Sequence, residues 1–114
     1  MRQIKFRAWH GELKEYCEGT TSNMFSWIDD GQPITLEQFT GLQDNNGVDI
    51  YEGDIVKFQS RFDSSIGCIE YSNDSTRFVF NIGSEESPDY RDVGHGWYGT
   101  AIIGNKHQNP ELIK

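Results

Sequence analysis

The chain has 114 residues, 35% hydrophobic and 13% aromatic, which suits one domain with a buried core and excludes a disordered chain. Its net charge of −8 argues against a dedicated duplex-binding domain, because phosphate neutralisation needs a basic surface. No apolar run approaches the ~20 residues of a membrane helix and the N-terminus lacks a signal peptide's apolar stretch, so the expectation is a cytoplasmic protein without a membrane partner.

The charge is unevenly placed. Residues 1–14 carry Arg2, Lys5, Arg7 and Lys14 against Glu12 alone, whereas 15–57 carry nine acids against Lys57 alone. Cys17 and Cys68 lie far apart without a CxxC spacing. Two thiols are the default expectation and a disulfide between them the alternative.

Residues 2–9 alternate, with Ile4, Phe6 and Ala8 on one face and Gln3, Lys5, Arg7 and Trp9 on the other. Period two predicts a half-buried strand. His10-Gly11-Glu12 reads as a turn and 13–17 as a short return strand. Residues 18–23 are polar and read as loop. Met24, Phe25, Trp27 and Ile28 form a dense apolar cluster. It is assigned to the core, with a protein-binding or self-association patch as the alternative.

Asp29-Asp30-Gly31 is a turn signal. Residues 34–40 are strand-capable, and Asp44-Asn45-Asn46-Gly47 carries the Asn-Gly pair that marks a hairpin. Residues 48–51 continue as strand or extended arm. Glu52-Gly53-Asp54 predicts a sharp bend that launches the β-branched and aromatic run 55–58. Residues 66–71 and 76–82 form the clearest hairpin, with Phe78, Phe80 and Ile82 on one face and Arg77, Val79 and Asn81 on the other. Gly67 within it suggests a bulge. Residues 83–92 read as a mobile acidic loop, and 97–104 as a closing strand. Asn109-Pro110 starts at most one helical turn. Short strands with turns every 8–12 residues predict a mainly β chain: a small barrel or a strongly curved antiparallel sheet with an extended N-terminal region.

No residue set reads as catalytic, metal-binding or cofactor-binding. Residues 94–99 match GxGxxG in letters, but an acidic loop precedes them and a strand-like run follows, where a dinucleotide site needs a strand and then a helix. Glu52 and Asp54 resemble a carboxylate pair, yet beside Gly53 their expected role is to bond turn N–H groups. His10, His95, His107 and the two cysteines have no ligand spacing. His95, Trp97 and Tyr98 form an aromatic loop suited to a ligand or partner contact. Arg2, Lys5, Arg7 and Trp9 on one strand face suit single-stranded nucleic acid, with an ordinary solvated face as the competing reading.

Three blocks resemble the YopX family of bacteriophage and prophage proteins. They are Ile4-Lys5-Phe6-Arg7-Ala8-Trp9, the central run from Gln38-Phe39-Thr40-Gly41-Leu42 through Asp44-Asn45-Asn46-Gly47 to Ile50-Tyr51-Glu52-Gly53-Asp54-Ile55-Val56, and Ile103-Gly104-Asn105 before Asn109-Pro110-Glu111-Leu112. The resemblance implies an SH3-like barrel and a phage or prophage origin. It implies no activity and carries no catalytic residues. Asn46, Gly47, Glu52, Gly53 and Asp54 are then expected to be structural turns. The functional expectation is a small non-enzymatic module with a host or phage protein as partner. Nucleic-acid binding through the first strand and an acidic DNA mimic are the alternatives, and homo-oligomerisation is open.

Overall fold

A computed structural model describes residues 4–59, 64–74, 76–83, 87, 89–92 and 99–112. Arg2, His95, Trp97 and Tyr98 lie outside them, as does the GxGxxG stretch apart from Gly99. The chain runs β1 (Phe6–His10), β2 (Glu15–Cys17), α1 (Thr21–Asp29), β3 (Ile34–Gln43), β4 (Asp49–Tyr51), β5 (Asp54–Gln59), β6 (Ser64–Ser72), β7 (Arg77–Asn81), β8 (Tyr90–Asp92) and β9 (Gly99–Asn105), ending in a 3-10 turn, Pro110–Leu112. The strands make two antiparallel sheets, ordered β2-β1-β3-β4 and β8-β7-β6-β5-β9, curled into a half-barrel. No helix among the described residues is long and apolar enough to cross a membrane.

The core lies on the second sheet. Val56 and Phe58 of β5, Ile69 of β6 and Phe80 of β7 are buried together, and Ile50 of β4 reaches across from the first sheet. Phe58 and Phe80 stack at 4.2 Å. Each such side chain contributes about 1.5–3 kcal/mol by leaving water. Phe78, Ile82 and Ile102 pack at the margin of this cluster, and Phe78 and Phe80 share the β7 face that the alternation predicts. Val79 and Asn81 are buried as well. Asn81 is held by polar contacts: its amide donates to Glu70 and its oxygen accepts from the Gly83 and Asp89 N–H groups.

Several local expectations are corrected. Gly67 is not a bulge: it pairs in register with Val56. A Cβ there would meet Ile82 Cγ2 at 3.0 Å and Phe58 Cε1 at 3.3 Å, so close packing calls for the glycine. The irregularity falls in β9 instead, where Ile55 faces Gly104 and Val56 faces Ile102, leaving Ile103 as the extra residue. The acidic segment 83–92 is not all loop, because Tyr90–Asp92 pairs with β7 as β8. The default expectation for the cysteines holds, since Cys17 and Cys68 are both free thiols.

The cluster 24–28 is helical and largely outside the core. Thr20 caps α1: its hydroxyl accepts from the Asn23 N–H at 3.2 Å, and the Asn23 side chain accepts from the Thr20 N–H at 3.0 Å. This is a capping box with Asn in the place usually held by Glu or Gln. Only Met24 of the helix is buried.

The turn between β3 and β4 joins the sheets. Gly47 donates to the Asp44 carbonyl at 3.0 Å, and Gly47 alone in the turn takes a positive φ, 79°. Asn46 therefore does not adopt the type I′ geometry that Asn-Gly most often signals. The buried Asp44 carboxylate organises this turn. It accepts from the Asn46, Val48 and Ile102 N–H groups at 2.9, 3.0 and 3.1 Å, and Asn45 donates to the Thr100 carbonyl at 2.8 Å. Burial pushes the Asp44 carboxyl up, but these three N–H groups outweigh it and hold the group below its ordinary value. The turn thus sits along the edge of β9.

Candidate functional site

The densest polar chemistry lies where the sheets meet. Glu37, on β3 in phase with Phe39, is only 1% exposed. Its Oε1 accepts from Arg7 Nε and from the Tyr16 hydroxyl, both at 2.8 Å, and its Oε2 meets His107 Nε2 at 2.8 Å. Arg7 also donates through Nη2 to Asp54 Oδ1 at 2.9 Å. Its guanidinium lies over the Tyr16 and Tyr51 rings, at 4.3 and 4.8 Å from their centroids. Trp9 stacks on His107 at 4.5 Å, with the rings within 8° of parallel.

Electrostatics within this cluster follow from burial and pairing. Burial pulls the Arg7 guanidinium down, but Asp54 and Glu37 more than offset it and hold it above its ordinary value. Burial pushes the Asp54 carboxyl up, and Arg7 draws it back only in part. Burial, with Glu37 beside it, raises the Tyr16 hydroxyl. Among the described residues no buried side-chain nitrogen or oxygen lacks a partner, and no three His, Cys, Asp or Glu side chains are placed to hold a metal ion. Glu37 faces its own chain's donors on both oxygens. The arrangement does the work of a joint between sheets.

The predicted residues are distributed as follows. Lys5 pairs with Asp49 and lies over the Phe39 ring at 4.5 Å. Asp49 raises the Lys5 ammonium, and Lys5 lowers the Asp49 carboxyl. Trp9 is buried. The expected solvated face of the first strand is therefore corrected: Lys5, Arg7 and Trp9 all serve internal contacts. Glu52 accepts from the Gln38 N–H at 2.8 Å, and Asp54 Oδ2 from the Tyr51 N–H at 2.8 Å. Gly53 has φ +89°. Asn46 and Gly47 are exposed at the turn tip.

Glu37, Asp44, Tyr16 and the role of His107 were not apparent from sequence. The only signal for Glu37 is its phase with Phe39, and the opposite phase of β3, with Ile34 and Leu36, looks more apolar.

A second feature is an open groove of about 610 Å3 between the sheets. Ile4, Gln38, Thr40 and Glu52 line it from one side, and Tyr71 and Phe78, with Thr76 and Arg77, from the other. Ile4 is 68% exposed. Tyr71, also exposed, meets Phe78 edge to face at 5.3 Å. The groove is open to solvent and mixed in lining, with the polar side chains of Gln38, Thr40, Glu52, Thr76 and Arg77 beside Ile4, Tyr71 and Phe78.

The two thiols differ in environment. Burial, with Glu70 adding to it, pushes the Cys68 thiol up to about 12, while Cys17 is half-buried. We expect Cys17 to react with a disulfide reagent in the native protein and Cys68 only after unfolding. Mass spectrometry of singly and doubly labelled chains under native and denaturing conditions checks this; rapid native labelling of Cys68 would contradict the burial.

A family model described as YopX protein matches residues 21–114. Protein EF1440 from Enterococcus faecalis is similar in structure over 100% of both chains, with 26% identity and a TM-score of 0.65. Protein yopX from Bacillus subtilis is similar in fold over 100% of both chains, with 19% identity and a TM-score of 0.54. No curated protein matches.

Proposed function

The chain belongs to the YopX family, and on that premise we propose that it is a non-enzymatic protein-interaction module whose groove receives an extended segment of a partner protein. We place it in a phage or prophage, acting in the cytoplasm of the bacterial host on a host or phage protein. The groove carries this reading, because Ile4 and Tyr71 leave apolar surface open beside a concavity large enough for several side chains. The titratable groups support it from the other direction. Glu37, Asp44, Asp49, Glu52 and Asp54 each bond groups of their own chain. That favours a protein partner over phosphate mimicry by these acids, and the pairing of Lys5 and Arg7 disfavours nucleic acid on the first strand.

The test is affinity purification from the native host with the wild type, Ile4→Glu and Tyr71→Ser. These side chains are exposed, so the variants are expected to fold. One protein should accompany the wild type in fixed proportion, and each variant should weaken its capture about tenfold or more, the scale of an interface hot spot. Equal recovery by all three, or recovery of no partner, sinks the reading.

A further inference from the structure

Helix α1 presents a second apolar surface that the groove does not include. Met24 turns into the body, and Trp27 packs against Gly19, where a Cβ would stand 2.8 Å from its ring. Phe25 and Ile28, one turn apart, remain 51% and 39% exposed. Neighbours at this spacing form one continuous ridge.

The charges beside that ridge are placed against the helix's own field. Asp29 stands in the last turn and Asp30 is the C-cap, with no basic residue in that turn. A helix C-terminus is the negative end of the macrodipole and favours cations. Neither aspartate forms an ion pair among the described residues. From 15 to 36 the chain contains Glu15, Glu18, Asp29 and Asp30, and no Lys or Arg. A local rule broken without internal compensation points to a role outside the fold.

We propose that the Phe25/Ile28 face of α1 docks a cationic amphipathic helix of a partner protein. Its apolar ridge covers Phe25 and Ile28, and its Lys or Arg side chains meet Asp29 and Asp30 at the negative end of α1. A second copy of this chain is a poor occupant, since it would bring the same uncompensated carboxylates together. The inference does not rest on the groove, and Ile4→Glu leaves it untouched.

The test uses the full chain and two synthetic amphipathic helices, one of Leu and Lys and one of Leu and Glu, followed by fluorescence anisotropy at low and moderate salt. The Lys helix is expected to bind saturably, one per chain, and more weakly as salt rises. Asp29→Asn/Asp30→Asn and Phe25→Ser/Ile28→Ser should each weaken it about tenfold, the scale of two partly exposed charge contacts or a small apolar ridge. The Leu/Glu helix should not bind. Asp29→Asn/Asp30→Asn should also raise the melting temperature of the free chain, which shows that weaker binding is not lost folding. Binding unchanged in either double variant would mean a general attraction to an acidic surface and would overturn the proposal. So would no binding at low salt, or a dimer in sedimentation that Phe25→Ser/Ile28→Ser dissociates.

Discussion

Glu37→Ala is expected to lower the unfolding free energy by about 3–5 kcal/mol, the cost of removing one partner from a buried ion pair. The side chain is 1% exposed and receives Arg7, Tyr16 and His107. Its loss leaves Arg7 with Asp54 as its remaining charged partner, and leaves the Tyr16 and His107 donors without the carboxylate they bond. A chain of ordinary stability has a margin of about 5–15 kcal/mol, so this change consumes much of it. Urea denaturation read by tryptophan fluorescence measures the effect. Trp9 provides a second readout, since it is stacked on the ring that Glu37 holds, and its emission should shift to the red in the folded variant. A loss below about 1 kcal/mol would mean that the network is not a joint but an ordinary surface pairing.

Gly53→Ala should cost about 3 kcal/mol, through two separable causes. At φ +89° an alanine is strained by about 1 kcal/mol or more. Its Cβ would also stand 2.4 Å from Glu37 Oε2 and 2.9 Å from Glu37 Cδ. The backbone cannot yield easily: Gly53 donates to the Ile69 carbonyl at 2.8 Å, and its own carbonyl accepts from Lys106 at 2.9 Å. The carboxylate must move instead, with its hydrogen bonds. Gly47→Ala provides the comparison, because φ there is +79° and nothing lies within 4 Å of the added carbon; it should show the backbone cost alone. The double variant Gly53→Ala/Glu37→Ala should lose less than the sum of the two singles, because truncating Glu37 opens the space the methyl needs. Additive losses would place the cost of Gly53→Ala in the backbone and remove the steric argument.

Family and β architecture were legible in the residues because each rests on local pattern. The hairpin now seen as β6 and β7 follows from period-two alternation. The bend at Gly53 and the turn at Gly47 follow from residue types that tolerate positive φ. Helix α1 was missed because nine residues give too little periodicity, and because Asn23 closes its capping box where Glu or Gln is the usual sign. Strand β8 was missed because what makes it a strand is the neighbouring backbone of β7, which polar side chains do not announce.

What the amino-acid order determined by itself was which residues share a face and where the chain must turn, since both are consequences of backbone sterics within a few residues. It did not determine what covers each face. Arg7 is 30 residues from Glu37 and 47 from Asp54, and His107 is 70 from Glu37. Read along β1, Lys5, Arg7 and Trp9 form a polar stripe that looks open to solvent. Only the packing of the first sheet against Gly53 and the C-terminal turn draws Arg7 and Trp9 of that stripe into the joint around Glu37, while Lys5 pairs with Asp49 at a partly exposed margin. Coulombic and hydrogen-bond partners are chosen by distance in space, and alternation carries no information about that distance.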